Sequence, residues 1–273
     1  MSPAPARAAV AMTALAKAAV AKAAVLGAAS VLLAACTASG PSDEPKDDAV
    51  GRVTVLAAAS LTESFDGLAA AFEKRHPGVD VVIGYGGSSG LAEQVIIGGI
   101  PADVFAAANE ATMAAVEDAG LAEPWRIFAT NTLALVVAPG NPFHIVGLDD
   151  LARPELAIAL CDHAVPCGTA TDQLLALAGV IAAPDTLEPD VKTVLTRVRL
   201  GEADAGLVYV TDAVAAAAEV ATVAVREADA VVNRYPIAVL SEAPEPVLAA
   251  AFVDFVLGAE ARAVLERAGF GSP

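Results

Sequence analysis

The chain has 273 residues, with 16 Lys and Arg against 33 Asp and Glu, a formal net charge of −17 and three cysteines. So acidic a chain repels phosphodiester backbones, which excludes nucleic acid as a partner, and 56% apolar residues exclude a disordered chain. Three cysteines cannot scaffold a fold of this length, so its core must be hydrophobic, in one large or two modest domains.

Residues 1–35 carry Arg7, Lys17 and Lys22 and no acid, and the uninterrupted apolar stretch Ala23–Ala35 follows Lys22. A basic segment followed by a short apolar one is the design of an export signal, and the stretch falls well short of the ~20 residues a membrane-spanning helix needs. It ends on Leu33-Ala34-Ala35-Cys36, which resembles a bacterial lipobox: a signal peptide over 1–35, cut before Cys36, whose thiol takes the lipid. The alternative is a plain secretory signal with an incidental cysteine. Residues 36–50 then read as the lipidated cysteine and a polar, acidic tether, TASGPSDEPKDDA. Loss of residues 1–35 removes three positive charges, so the mature chain stands near −20.

From Arg52 onward, short apolar runs alternate with helical stripes. Strands are expected at Val53–Ala58, Val79–Gly84, Val104–Ala107, Leu133–Ala138, Leu156–Leu160, Gly206–Tyr209, Thr222–Val225 and Pro236–Leu240. Helices are expected at Leu61–Arg75, Leu91–Ile97, Ala111–Ala119, Thr171–Leu177, Lys192–Leu200, Asp212–Ala218, Val247–Leu257 and Ala259–Ala268. The β-α-β-α rhythm predicts an α/β fold with parallel strands covered on both faces, and so many elements predict two lobes. No sequence repeat relates them.

Four strand-to-helix junctions share one chemistry. Ser60 follows the first strand and fits a capping box with Glu63; Gly84-Tyr85-Gly86-Gly87-Ser88-Ser89-Gly90, Val165-Pro166-Cys167-Gly168-Thr169 and Glu188-Pro189-Asp190-Val191 precede later helices, the last with Asp190 as the cap. A helix start exposes unpaired N–H groups and a partial positive charge, so it can hold an anion without Lys or Arg. A serine there is more often only a cap, and a Gly-Ser loop only a turn. Their recurrence in one α/β pattern carries more weight, since such loops collect at switch-point crevices.

AAASLTESF at 57–65, GSSGLAEQV at 87–95, GGIPADVFAAAN at 98–109, VPCG at 165–168, GLVYVTDA at 206–213 and the ending at 260–270 resemble the periplasmic molybdate-binding proteins of ABC importers, over essentially the whole mature chain. The resemblance implies a type II periplasmic-binding-protein fold: two α/β lobes with mainly parallel sheets, joined by two crossover strands, with ligand in the cleft. Lobe I would comprise 51–133 plus 235–273, and lobe II 134–234. It implies ligand contacts from Ser60 and Ser88 on the first lobe and from the Cys167 and Val191 N–H groups and the Tyr209 hydroxyl on the second. It also implies binding without catalysis or cofactor: a monomeric lipoprotein on the outer face of the cell membrane captures molybdate, or tungstate, and passes it to an ABC permease. Cys167 stands where alanine is common in the family, which a backbone donor tolerates. A shell of donors suits a fully deprotonated tetrahedral dianion.

Two rivals follow from the residues. The same fold could take sulfate or another small anion. Alternatively, Gly86-Gly87-Ser88-Ser89-Gly90 fits the G-x-S-x-G nucleophile elbow of a secreted serine esterase. That reading needs a late histidine, and the last of three is His163. Cys161 and Cys167 are placed to form a disulfide across CDHAVPC in an oxidising compartment, with two free thiols as the alternative. A zinc site from these thiols and His163 lacks a fourth ligand.

Overall fold

A computed structural model describes residues 50–273; the expected signal peptide over 1–35, Cys36 and the expected tether up to residue 49 lie outside the described residues. Among the described residues no helix is long and apolar enough to cross a membrane.

The apolar run of β1 (Gly51–Ala58) pairs in parallel with β2 (Val79–Gly86) and β3 (Val104–Ala106), with α1 (Thr62–Arg75) and α2 (Ser88–Ile96) as crossovers. Helix α3 (Glu110–Asp118), capped by the Asn109 side chain on the Thr112 N–H, leads to β4 (Arg126–Asn131). One residue, Thr132, then separates β4 from β5 (Leu133–Val137), which belongs to a second sheet. That sheet continues with β6 (Ile158–Cys161), α4 (Pro166–Ala178), β7 (Thr186–Glu188), α5 (Val191–Arg199), β8 (Ala205–Tyr209), α6 (Val210–Ala215) and β9 (Ala221–Val223). The chain returns to the first sheet as β10 (Asn233–Val239) and ends on α7 (Pro246–Val256) and α8 (Ala259–Arg267).

The strand orders are β2-β1-β3-β10-β4 and β7-β6-β8-β5-β9. Each is a parallel trio extended by one reversed strand, β10 or β5, and then by an edge strand, β4 or β9, that runs with the trio again, so the two lobes share one topology without a shared sequence. Pairings divide evenly, four parallel and four antiparallel, because the strands that cross between lobes enter each sheet against the direction of its trio. The sheets are thus mixed, yet four of the five strands in each sheet run one way, so they are mainly parallel in direction, as expected. Two strands escape the sequence pattern: β4, whose RIFATN lacks a clean alternation, and β7, which has only three residues.

A register shift between Tyr235 and Pro236 interrupts β10, at the one residue unable to donate to the ladder. Tyr235 is fully buried there. Beneath the first sheet α1 packs on α7 through an aromatic cluster, with Phe252 centred 5.3 Å from Phe72 and 6.4 Å from Phe65 in edge-on contacts. Phe252 has no solvent exposure. Replacing it with alanine should cost about 3–5 kcal/mol, read as a lower midpoint in urea unfolding with unchanged slope.

Candidate functional site

The carboxyl ends of the parallel strands in both sheets face one cavity of about 20 Å³, little more than the space one water needs. From the first sheet come Ser60, after β1, and Ser88, which opens α2 after β2. From the second come Cys167, in the first turn of α4, Val191, which opens α5, and Tyr209, which ends β8. All five residues singled out from the sequence line this one cavity, and none is more than 3% exposed.

The N–H groups of Ser88, Cys167 and Val191 have no acceptor among the described residues, as first-turn geometry dictates. Three helices from two lobes thus aim their positive ends at one point. No Lys, Arg or His lines the cavity. One carboxylate, Asp190, does, a neighbour the sequence reading left out of the binding set. Its Oδ1 is turned to cap α5, accepting from the Thr193 N–H at 2.9 Å and the Thr193 hydroxyl at 3.2 Å.

Ser60 does not cap α1, contrary to the capping-box expectation. It lies in a 3-10 turn, Ala59–Leu61, before the helix, and its Oγ is 2.9 Å from the Tyr235 hydroxyl. The tertiary partner wins because this turn separates the serine from the first turn of α1. Ser88 Oγ accepts the Ala108 N–H at 3.0 Å, and Tyr209 Oη accepts the Asn233 amide at 3.0 Å. Sequence reasoning missed Ala108, Asn131, Asn233 and Tyr235. The one signal available was an asparagine in each of two β-forming runs, RIFATN and NRYPIAV; that both are buried only the structure shows.

The two lobes touch on the cavity's rims. Ser89 Oγ donates to the Ala164 carbonyl at 2.7 Å, and Lys192 Nζ reaches Glu63 at 2.7 Å from the opposite lobe. Gly87, with unremarkable extended angles, is required by proximity alone: a Cβ on it would overlap the Pro189 carbonyl oxygen across the cleft. Lys192 also lies 2.9 Å from Asp212 Oδ1, a carboxylate with no exposure. Burial lowers the Lys192 pKa, but Asp212 and Glu63 outweigh it and hold the ammonium above its ordinary value. Burial pushes Asp212 up to about 6, against the pull of Lys192.

Cys161 and Cys167 are joined in a disulfide, Cα atoms 5.7 Å apart, which ties the end of β6 to the first turn of α4. No thiol remains there for zinc. The loop is tight enough that a Cβ on Gly168 would overlap the Asp162 carbonyl oxygen. His163 pairs with Asp172 at 2.8 Å on the surface, and no histidine reaches Ser88, so the elbow pattern has no base.

Residues 53–271 match the model of a family described as bacterial extracellular solute-binding protein. The chain belongs to this family. Its members bind and carry solutes and are not enzymes, and they work outside the cytoplasm. The molybdate-binding protein ModA of Mycobacterium tuberculosis is 42% identical over 245 residues, 88% of this chain and 93% of that one. ModA of Escherichia coli is 34% identical over 235 residues, 81% of this chain and 89% of that one. Among solved structures, the periplasmic molybdate-binding protein of Azotobacter vinelandii superposes with a TM-score of 0.69 at 24% identity, covering 81% of this chain and 99% of its own. The sulfate-binding protein SubI of M. tuberculosis reaches 0.70 at 23% identity, covering 80% and 86%. At these identities the structures speak for the fold alone: the two-lobed fold of periplasmic solute-binding proteins.

Two measurements probe this solute-binding protein's cleft. Gly87→Ala should hold the lobes apart, enlarging the radius of gyration in X-ray scattering under conditions where the wild type is compact. An Asp212 pKa raised from 3.8 to about 6 means the folded state binds the extra proton, so this group's stabilisation is complete below 3.8 and lost as pH rises through 6. The melting temperature of the wild type relative to Asp212→Asn should therefore climb as pH falls from 6 toward 4.

Proposed function

We propose that this solute-binding protein captures molybdate, and tungstate of the same shape and charge, and delivers it to the permease of an ABC importer. It does so as a monomer held to the outer face of the membrane by a lipid on Cys36, without a cofactor. The observation that carries the ligand is the cavity itself: small, free of cations, and lined by three hydroxyls and three unpaired first-turn N–H groups from two lobes. A tetrahedral dianion offers only acceptors, so a lining of donors is its complement. The two ModA relatives, at 42% and 34% identity, support molybdate within that class.

Donors from both lobes make the closed state the one that ligand favours, since open lobes offer only half of the contacts. Closure then marks the loaded form for a permease. Selection among oxyanions runs through size and protonation, and a cavity closed this tightly rejects organic anions by volume.

A thermal-shift panel of molybdate, tungstate, sulfate, phosphate and chromate on the mature domain tests the assignment. At about a hundredfold excess over Kd, molybdate should raise Tm by about 5–10 °C. A larger shift with sulfate reassigns the ligand, and no shift with any oxyanion overturns the proposal. Ser88→Ala should weaken molybdate at least about tenfold in calorimetry, as expected for one hydrogen bond to a charged group.

A further inference from the structure

A hydroxyl carries one proton and two lone pairs, so a serine or tyrosine facing an anion helps only if its proton points at the anion. In this cavity the matter is settled from behind. The Ala108 N–H can only donate, and it donates to Ser88 Oγ at 3.0 Å, which turns the Ser88 proton elsewhere. The carbonyl of the same residue can only accept, and it takes one proton of Asn233 Nδ2 at 2.9 Å. That contact fixes which end of the Asn233 amide faces inward, so its second proton goes to Tyr209 Oη at 3.0 Å.

Asn131 is pinned in the same way from the other crossing. Its Oδ1 accepts the Thr132 N–H at 3.0 Å, which leaves Nδ2 facing Thr211 Oγ1 at 2.9 Å and, at a longer 3.5 Å, Tyr235 Oη. Tyr235 Oη, reached there by the Asn131 amide, lies 2.9 Å from Ser60 Oγ, a contact in which either hydroxyl can donate. Ser88 and Tyr209 thus each accept a hydrogen bond on the inner side, and Ser60 joins them when Tyr235 donates to it; the Tyr209 and Tyr235 hydroxyls also interact with each other. Burial raises the pKa of both Tyr209 and Tyr235, so neither proton is given up near neutral pH.

We propose that Asn131, Tyr235 and Asn233 are positioning residues that direct the Ser60 and Tyr209 protons into the cavity, and so set its preference for fully deprotonated oxyanions over protonated ones. None of the three lines the cavity. Monohydrogen phosphate has the charge and tetrahedral shape of the favoured ligand but also brings a proton that needs an acceptor. Hydroxyls committed as donors offer it none, and the one carboxylate in the lining, Asp190, has its Oδ1 engaged in capping α5. Releasing one hydroxyl lets that group rotate and accept, which costs the deprotonated anion a donor and gives the protonated one a partner. The inference rests on the oxyanion reading above and adds what sets its selectivity.

The test uses the mature protein, molybdate and phosphate at pH 8, and calorimetric Kd values for the wild type, Tyr235→Phe and Asn233→Leu. Tyr235→Phe is the gentler change: one oxygen is lost while the ring keeps its edge-on packing against Phe128 and Phe270. A structural injury loosens the site for both anions alike, and the difference in ion size is common to wild type and variants, so the ratio of the two Kd values isolates proton direction. The molybdate-to-phosphate preference is expected to narrow at least about tenfold, the worth of one charge-assisted hydrogen bond. An unchanged preference in Tyr235→Phe, whether both affinities persist, fall together or vanish together, overturns the inference. A wild type that binds neither anion removes the oxyanion assignment itself, a failure distinct from that of the variants.

Discussion

Taking a dianion out of water without a counter-charge, as the proposed function requires, is expensive, and the cleft described above is suited to offsetting that cost. Desolvating an ion costs several kcal/mol even in a relaxed protein site, and each hydrogen bond to a charged group returns roughly 1.5–3 kcal/mol. The cavity holds no cation and the chain carries a net charge of −17, so the return has to come from oriented dipoles. That requirement explains why the site lies where the carboxyl ends of parallel strands meet the starts of α2, α4 and α5. No single lobe supplies enough such ends at one point; two lobes of matching topology supply three.

The same requirement makes the cleft's geometry exacting. Dipoles fall off steeply with distance, so the backbones must come close, and Gly87 against the Pro189 carbonyl is that closeness in atomic form. The disulfide between Cys161 and Cys167 holds the first turn of α4 at a fixed height relative to β6. The rim contacts, Ser89 to Ala164 and Lys192 to Glu63, are exposed and individually weak, worth no more than about 1 kcal/mol each. Contacts this weak pose little barrier to the parting of the lobes that a carrier of solutes needs.

Much of this was legible in the residues. The junctions before α2, α4 and α5 showed as such, though α2 begins three residues and α4 five residues before the expected starts at Leu91 and Thr171, and Asp190 caps α5 as its position suggested. The apolar runs located most strands to within a few residues. What escaped was whatever depends on residues far apart in the chain. Ser60 looked like a local cap because local rules are all that S-x-x-E encodes, yet its partner is 175 positions away. Asn131 and Asn233 fell outside every expected strand, and nothing in their neighbours says that their amides are pinned by Thr132 and Ala108. Antiparallel pairings escaped for the same reason: periodicity reports burial, not strand direction.

The interleaved strand order has a consequence for how the chain is assembled. In the first sheet β4 finds its ladder only on β10, and β10 lies about a hundred residues later, beyond the whole second sheet. A chain emerging from its N-terminus can therefore complete the second lobe while the first still has β3 and β4 unjoined. Closing that long loop is an entropic cost borne late, when β10 threads between them. The strand that seals the first lobe is also the one that brings in Asn233 and Tyr235. Assembly of the sheet and wiring of the pocket are thus a single event, and an incomplete chain has neither.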